Sequence, residues 1–399
     1  MLTSIQFMEL NAYFDPIDNY EFEDLKRGRP RLGHLVKVHT STKGIPDLNH
    51  IQLALFGIPE GRNAVRNKGC ENGPDNIRNY LYRLFPPKSP LPIIDLGNLK
   101  IGSTLEDTYA GLADVFAYLR NQDVVPIIMG GSQDLTYAMY LGYEKTGINI
   151  NMVNIDPFFD LGEAPEDINH ATWLSKLFLR QPSVLFNYTH LGYQTYFVDP
   201  AAITLMKNML FDVYRLGQIN ENLNDVEPLV RNADLISIDI SAIRASDAPG
   251  CAYASPNGFF GDQICHITRF AGMSDKVSSL GIFEYNPQFD RNGQTAYLIS
   301  QMIWYFIEGY FNRLNDFPQL NPSLENYYRY YVKLDNLEED IVFYKSKKSD
   351  RWWVQVPCPE YLQTKYYRHI LIPCSYQDYQ SACNNELPDR YWQFYQKMM

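Results

Sequence analysis

The chain has 399 residues, 45% of them hydrophobic and 20% charged, values of a folded globular protein that exclude a disordered or low-complexity polypeptide. Lys and Arg number 35 against 46 Asp and Glu, a formal charge of −11 that speaks against nucleic acid and anionic membrane as partners. The six cysteines form no Cys-x-x-Cys pair, the N-terminus has no basic segment leading into an apolar run, and no apolar stretch is long enough to span a bilayer. These features predict free thiols and a cytoplasmic protein.

Residues 1–48 are polar, with the charged cluster Glu23-Asp24-Leu25-Lys26-Arg27-Gly28-Arg29-Pro30, and read as an N-terminal arm. Strands and helices alternate over 49–314. Residues 51–59 predict a buried strand closed by Gly57 and Pro59, and a helix starts at Gly73 with Pro74 in its first turn. A short strand at 92–97 precedes a helix at 104–120. Strands at 124–131 and 148–156 flank a further helix, a strand pair falls at 184–198, and buried strands follow at 234–240 and 279–287. A helix at 294–312 ends the series. This alternation predicts an α/β fold with a mainly parallel sheet covered by helices on both faces.

The turn-rich segment 315–322 opens an aromatic C-terminal extension, 315–399. It holds Tyr327, Tyr328, Tyr330 and Tyr331, strands at 341–344, 352–356 and 369–373, and helices at 378–383 and 389–399. The extension is expected to pack on the main domain. Its Tyr and Trp residues suit a protein partner, since such side chains are enriched at interfaces.

Three strand ends carry the chemistry: Gly130-Gly131-Ser132-Gln133-Asp134, Asn154-Ile155-Asp156-Pro157-Phe158-Phe159-Asp160 and Ser237-Ile238-Asp239-Ile240-Ser241. Each is an apolar strand running into polar or acidic residues, the edge where open α/β sheets present ligand sites. Around them stand Gly73-Pro74 with Arg78, Asp95-Leu96-Gly97, Ala248-Pro249-Gly250, Ser255-Pro256-Asn257-Gly258 and Glu284-Tyr285-Asn286-Pro287.

In order and spacing, from about residue 50 to 312, these segments resemble the ureohydrolases: the arginases, agmatinases and formiminoglutamases. The resemblance implies a three-layer arginase-like fold. It also implies two divalent ions, usually manganese, sharing a hydroxide that attacks a guanidinium or formimino carbon. Asp156, Asp160 and Asp239 keep metal-ligand positions of that pattern. Gln133 stands for the first His, Phe158 for the second, Ser241 for the second Asp of the last pair, and Arg244 for an Asp before Pro. An amide oxygen is a poor ligand, a phenyl ring is none, and a hydroxyl carries no charge to offset a cation.

The sequence therefore predicts a degenerate site without the paired ions. Either no metal is resident and Arg244 neutralises the three carboxylates, or one manganese or magnesium ion is held by Asp156, Asp160, Asp239 and Gln133. By the resemblance, His170 takes the place of a proton-shuttling His, and Glu284 that of the carboxylate facing a guanidinium. The expected function is a pseudoenzyme that binds a small cationic amidino or amine ligand or a protein partner, and the chain is expected to form homo-oligomers. The alternative is a metal-dependent hydrolase of carbon–nitrogen bonds in linear amidines, in which His170 and Glu284 are catalytic.

Overall fold

Leu53 and Leu55 pack on one side of their strand and Ala54 and Phe56 on the other, and all four are buried. A strand apolar on both faces needs a helical layer on each side, which is how the chain folds. The structure, a computed structural model, describes residues 9–18, 29–87, 90–162, 168–319, 322–335 and 337–399. Positions 23–28 of the charged N-terminal cluster lie outside them.

Ten strands form the main sheet: β1 (Phe14–Asp15), β2 (Lys37–Val38), β3 (Leu53–Gly57), β4 (Ile93–Leu99), β5 (Val125–Met129), β6 (Ile150–Ile155), β7 (Leu185–Tyr193), β8 (Asp212–Arg215), β9 (Leu235–Asp239) and β10 (Ser279–Phe283). Their order is β1-β4-β3-β5-β10-β9-β6-β7-β8, with β2 also on β4. All pairings are parallel except β1 against β4. Both short strands from the first 48 residues thus join the sheet edge rather than lying apart from it.

Helices follow the strands as expected. Thr104 caps Leu105–Asn121, accepting from the Asp107 N–H. Gly147, at φ 69°, ends Leu135–Thr146 in the left-handed conformation that glycine tolerates. Two differences stand out. Residues 184–198 hold one strand, β7, because nothing in 185–193 breaks the run, and the turn comes only at 195–197. Strand β8 escapes sequence reading because its four residues carry one aliphatic side chain, Val213. No helix among the described residues is long and apolar enough to cross a membrane.

Beyond residue 322 a separate antiparallel sheet forms in the order β11 (Tyr327–Val332), β12 (Ile341–Ser346), β13 (Trp352–Gln355) and β14 (Leu371–Cys374). The helix Asp389–Met398 packs on it through Phe394 and Met398. Trp353 is fully buried and Trp352 nearly so, which leaves Tyr328 and Tyr331 of β11 among the aromatic side chains this sheet exposes. The module is joined to the main domain by charge as well as by contact. Arg231 lies over the Trp353 ring and donates to the Trp352 and Cys374 carbonyls, and Arg368 pairs with the buried Asp234.

Candidate functional site at the strand ends

Four neighbouring strands, β5, β10, β9 and β6, carry the polar residues to one edge. The register sets their depth. Asp239 ends β9 opposite Phe283, one residue before Glu284, and Ile155 lies opposite Ile238, one residue before Asp156. Gln133 follows β5 at the entry to the helix Leu135–Thr146. Residues up to 151 positions apart in the sequence therefore converge, as a parallel sheet allows.

A cavity of about 710 Å³ opens over this edge, walled by Phe158, Asp160, His170, Asp239, Ser241 and Tyr253 among others. Gln133, Asp156 and Glu284 are fully buried and do not line it. Phe158 stacks on Phe197 with ring centroids 4.9 Å apart and meets Tyr253 edge-on. His170 stacks on the other side of the group, 5.3 Å from the Tyr253 centroid, and its Nδ1 accepts from the Val65 N–H at 3.3 Å. The place that resembles a ligand histidine is thus part of an aromatic wall.

The carboxyls are held by local donors. Asp156 Oδ1 accepts from the Phe158 N–H at 2.8 Å, Asp160 Oδ2 from the Trp173 indole at 2.9 Å, and Asp239 Oδ1 from the Ser241 N–H at 2.6 Å. Glu284 accepts from the Gln133 N–H at 2.8 Å and from the Asn67 amide at 2.6 Å. Burial raises all four above the usual carboxylate range, and the charges of Asp160 and Asp239 add to the effect on Asp156, as that of Glu284 does on Asp239. Both Asp160 and Glu284 sit at positive φ, 52° and 65°. Such conformations persist at non-glycine residues only where the surroundings fix them.

Arg244 does not neutralise this cluster. It pairs with Asp247 at 2.9 Å and lies 3.8 Å over the Phe260 ring, so the expected charge compensation is corrected. The physical reason is local. Asp247 is three residues away on the same turn and captures the guanidinium before it can reach Asp239.

Metal fit turns on the donors. The Gln133 amide nitrogen is spent on Asn154 Oδ1 and Ser237 Oγ, both at 3.0 Å. Its oxygen, Asp156 Oδ2 and Ser241 Oγ are buried without hydrogen-bond partners among the described residues. Three orphaned oxygens suit a water or one hard cation. They do not suit two ions, because Phe158 and Ser241 withdraw an imidazole and a carboxylate. Among the described residues no group of three or more His, Cys, Asp or Glu side chains is arranged to hold a metal.

A family model for the arginases matches residues 51–308, most of the chain. The chain belongs to the arginase family. A formimidoylglutamase of Staphylococcus haemolyticus is 27% identical over 268 residues, covering 64% of this chain and 85% of that protein. One from Rhodococcus jostii is 25% identical over 274 residues, covering 62% and 83%. Among solved structures, formimidoylglutamase from Bacillus subtilis aligns with a TM-score of 0.65 at 19% identity, over 74% of this chain and 96% of that one. Trypanosoma cruzi formiminoglutamase, solved with Mn2+, aligns at 0.64 and 18%, over 72% and 100%. At these identities the structures speak for the fold. In this arginase-family chain the fold holds Asp156, Asp160, Asp239 and Glu284 at one edge, Gln133 and Ser241 beside them, and Arg244 elsewhere.

Residues that sequence reading passed over complete the site. Asn67 bonds both the side chain and the carbonyl of Glu284, 217 positions away. His190, fully buried with its pKa lowered by burial to about 4, donates Nε2–H to the Asp156 carbonyl at 2.8 Å. Trp173 follows His170 closely in sequence, but nothing local marks its indole as a partner of Asp160.

Proposed function

We propose that this arginase-family chain is formimidoylglutamase-like in ligand class and binds a small linear amidine or amine in the strand-end cavity. The observation that carries the reading is the set of four buried carboxyls, Asp156, Asp160, Asp239 and Glu284, behind an aromatic wall of Phe158 and Tyr253. An amidinium is planar and cationic. Its N–H groups match a carboxylate and its π-face suits an aromatic ring. Asp160 and Asp239 reach the cavity and are the contacts assigned to that ligand.

Hydrolysis is the second reading. It is favoured by the relatives, which are named formimidoylglutamases, and opposed by the donors at Gln133, Phe158 and Ser241. One divalent ion on Asp156, Gln133 and Ser241 would supply Lewis acidity to it. In either reading the chain's own contribution is the same: Asp160 and Asp239 hold the cationic nitrogen, and His170, at the mouth, can carry a proton to or from solvent.

Calorimetry with N-formimino-L-glutamate, agmatine and L-arginine tests the binding, with ammonia and urea release measured alongside in the presence and absence of manganese. Loss of N-formimino-L-glutamate or agmatine binding in Asp239→Asn supports the cavity assignment. Manganese-dependent product release that is also lost in Asp156→Ala moves the chain to the hydrolases. Failure of all three ligands to bind rejects the ligand class.

A further inference from the structure

A second cavity lies far from the strand ends, where the C-terminal module meets the main domain. It has a volume of about 510 Å³. The helices Leu216–Glu221 and Val226–Arg231 form one side, Tyr376–Cys383 and Asp389–Met398 the other. Its walls carry one guanidinium, Arg390, and five carboxylates, Glu221, Asp225, Asp378, Glu386 and Asp389.

Arg390 is the anomaly. Only 8% of it is exposed, yet its Nε and Nη1 have no hydrogen-bond partner among the described residues. Two of the acids sharing the cavity have one oxygen engaged by near neighbours, not by Arg390. Asp378 Oδ2 accepts from the Ser375 N–H and hydroxyl at 2.6 and 2.8 Å, and Asp225 Oδ1 accepts from Asn222 at 2.9 Å. A buried guanidinium with idle donors is costly unless an acceptor completes it.

The charges define what that acceptor belongs to. A bare anion would reach Arg390 only past five carboxylates and is repelled. A bare diamine would satisfy the acids and leave Arg390 idle. A ligand with a carboxylate at one end and more than one cationic group meets both demands. We propose that this interdomain cavity binds a basic α-amino acid, its carboxylate on the buried Arg390 and its ammonium groups among Asp225, Asp378, Glu386 and Asp389. The site owes nothing to the strand-end cavity, and its occupant bridges the two halves of the chain. It therefore couples the docking of the C-terminal module to the amino-acid level.

Calorimetry on the full chain with three probes tests this. L-Lysine has every required group, cadaverine lacks the carboxylate, and L-norleucine lacks the second cation. Lysine is expected to bind one to one, and each of the other two more weakly by about tenfold. Arg390→Gln should erase the preference of lysine over cadaverine. Glu386→Gln and Asp389→Asn, at exposed positions, should erase the preference over norleucine, and they keep the test alive if R390Q does not fold. All three titrations are run on the Asp239→Asn chain, so that an amine held in the strand-end cavity does not enter the reading. Absence of lysine binding or equal affinity for cadaverine in that background would each overturn the proposal.

Discussion

Asn67 holds Glu284 from two directions, donating one amide to its carboxylate at 2.6 Å and to its backbone carbonyl at 2.9 Å. With the Gln133 N–H on the other carboxylate oxygen, Glu284 is a fixed acceptor inside the protein, and it does not line the strand-end cavity. Its first duty is to hold the loops after β5 and β10 and the segment around Asn67 together. Glu284→Gln, which swaps one acceptor for a donor, is expected to lower stability by about 1–3 kcal/mol. Urea unfolding measures this. Ligand binding in the folded variant should change less than in Asp239→Asn.

The missing donors can be restored. Gln133→His, Phe158→His and Ser241→Asp together return two imidazoles and a carboxylate to positions beside Asp156, Asp160 and Asp239. The triple variant is expected to hold about two manganese ions per chain where the native protein holds at most about one, as the ligand count requires. Metal analysis after dialysis decides it. If Phe158→His alone gives the same result, the ring stacking on Phe197 was the main obstacle.

Arg78 and Asp95 form a buried ion pair, Nε to Oδ2 at 2.8 Å, with both side chains fully excluded from water. A second bond runs from Nη2 to Oδ1 at 3.0 Å, and the Tyr82 hydroxyl and the Gly97 N–H also donate to the carboxylate. Arg78→Met leaves that carboxylate uncompensated, and a loss of about 3–5 kcal/mol is expected by thermal or urea unfolding. The double variant Arg78→Met, Asp95→Leu should recover part of it.

The joint between the two modules is sensitive to pH. Burial lowers the Lys276 ammonium from its ordinary 10.5 to about 7, and Asp234 offsets only part of the effect. Between these values the unfolded chain binds a proton that the folded chain does not, so stability rises with pH. The contribution is complete above about 10.5 and is lost as pH falls through about 7. From pH 7 to 9 the native chain should gain up to about 2 kcal/mol relative to Lys276→Met. Paired unfolding curves at the two pH values check the sign.

Removal of residues 315–399 would unpair Arg368 from Asp234 and strip Arg231 of the Trp352 and Cys374 carbonyls. Asp234 and Arg231 are both buried. The shortened chain is expected to lose cooperative unfolding in calorimetry, because Arg231 and Asp234 keep Glu227 and Lys276 but lose every partner the C-terminal module supplies.

The main sheet was legible because burial on both faces forces long apolar runs, as in β3, β5, β6, β9 and β10, and helices showed through apolar periodicity, as at 104–120, or a first-turn proline such as Pro74. Strand β8, with Val213 its only aliphatic residue, and the aromatic strand β11 fell below that signal. The polar residues of the site were legible because a strand end places them by register, and Gln133, Asp156, Asp239 and Glu284 meet where β5, β6, β9 and β10 adjoin. Order and spacing by themselves determined the fold class and the family resemblance. Only the tertiary structure decided where the charges went. Arg244 turned to Asp247, Asn67 and His190 arrived from distant segments, and Arg390 was left buried with two N–H positions unpartnered among the described residues. Partner choice by a long side chain depends on which groups lie within a few ångströms in space, and a linear sequence does not carry that distance.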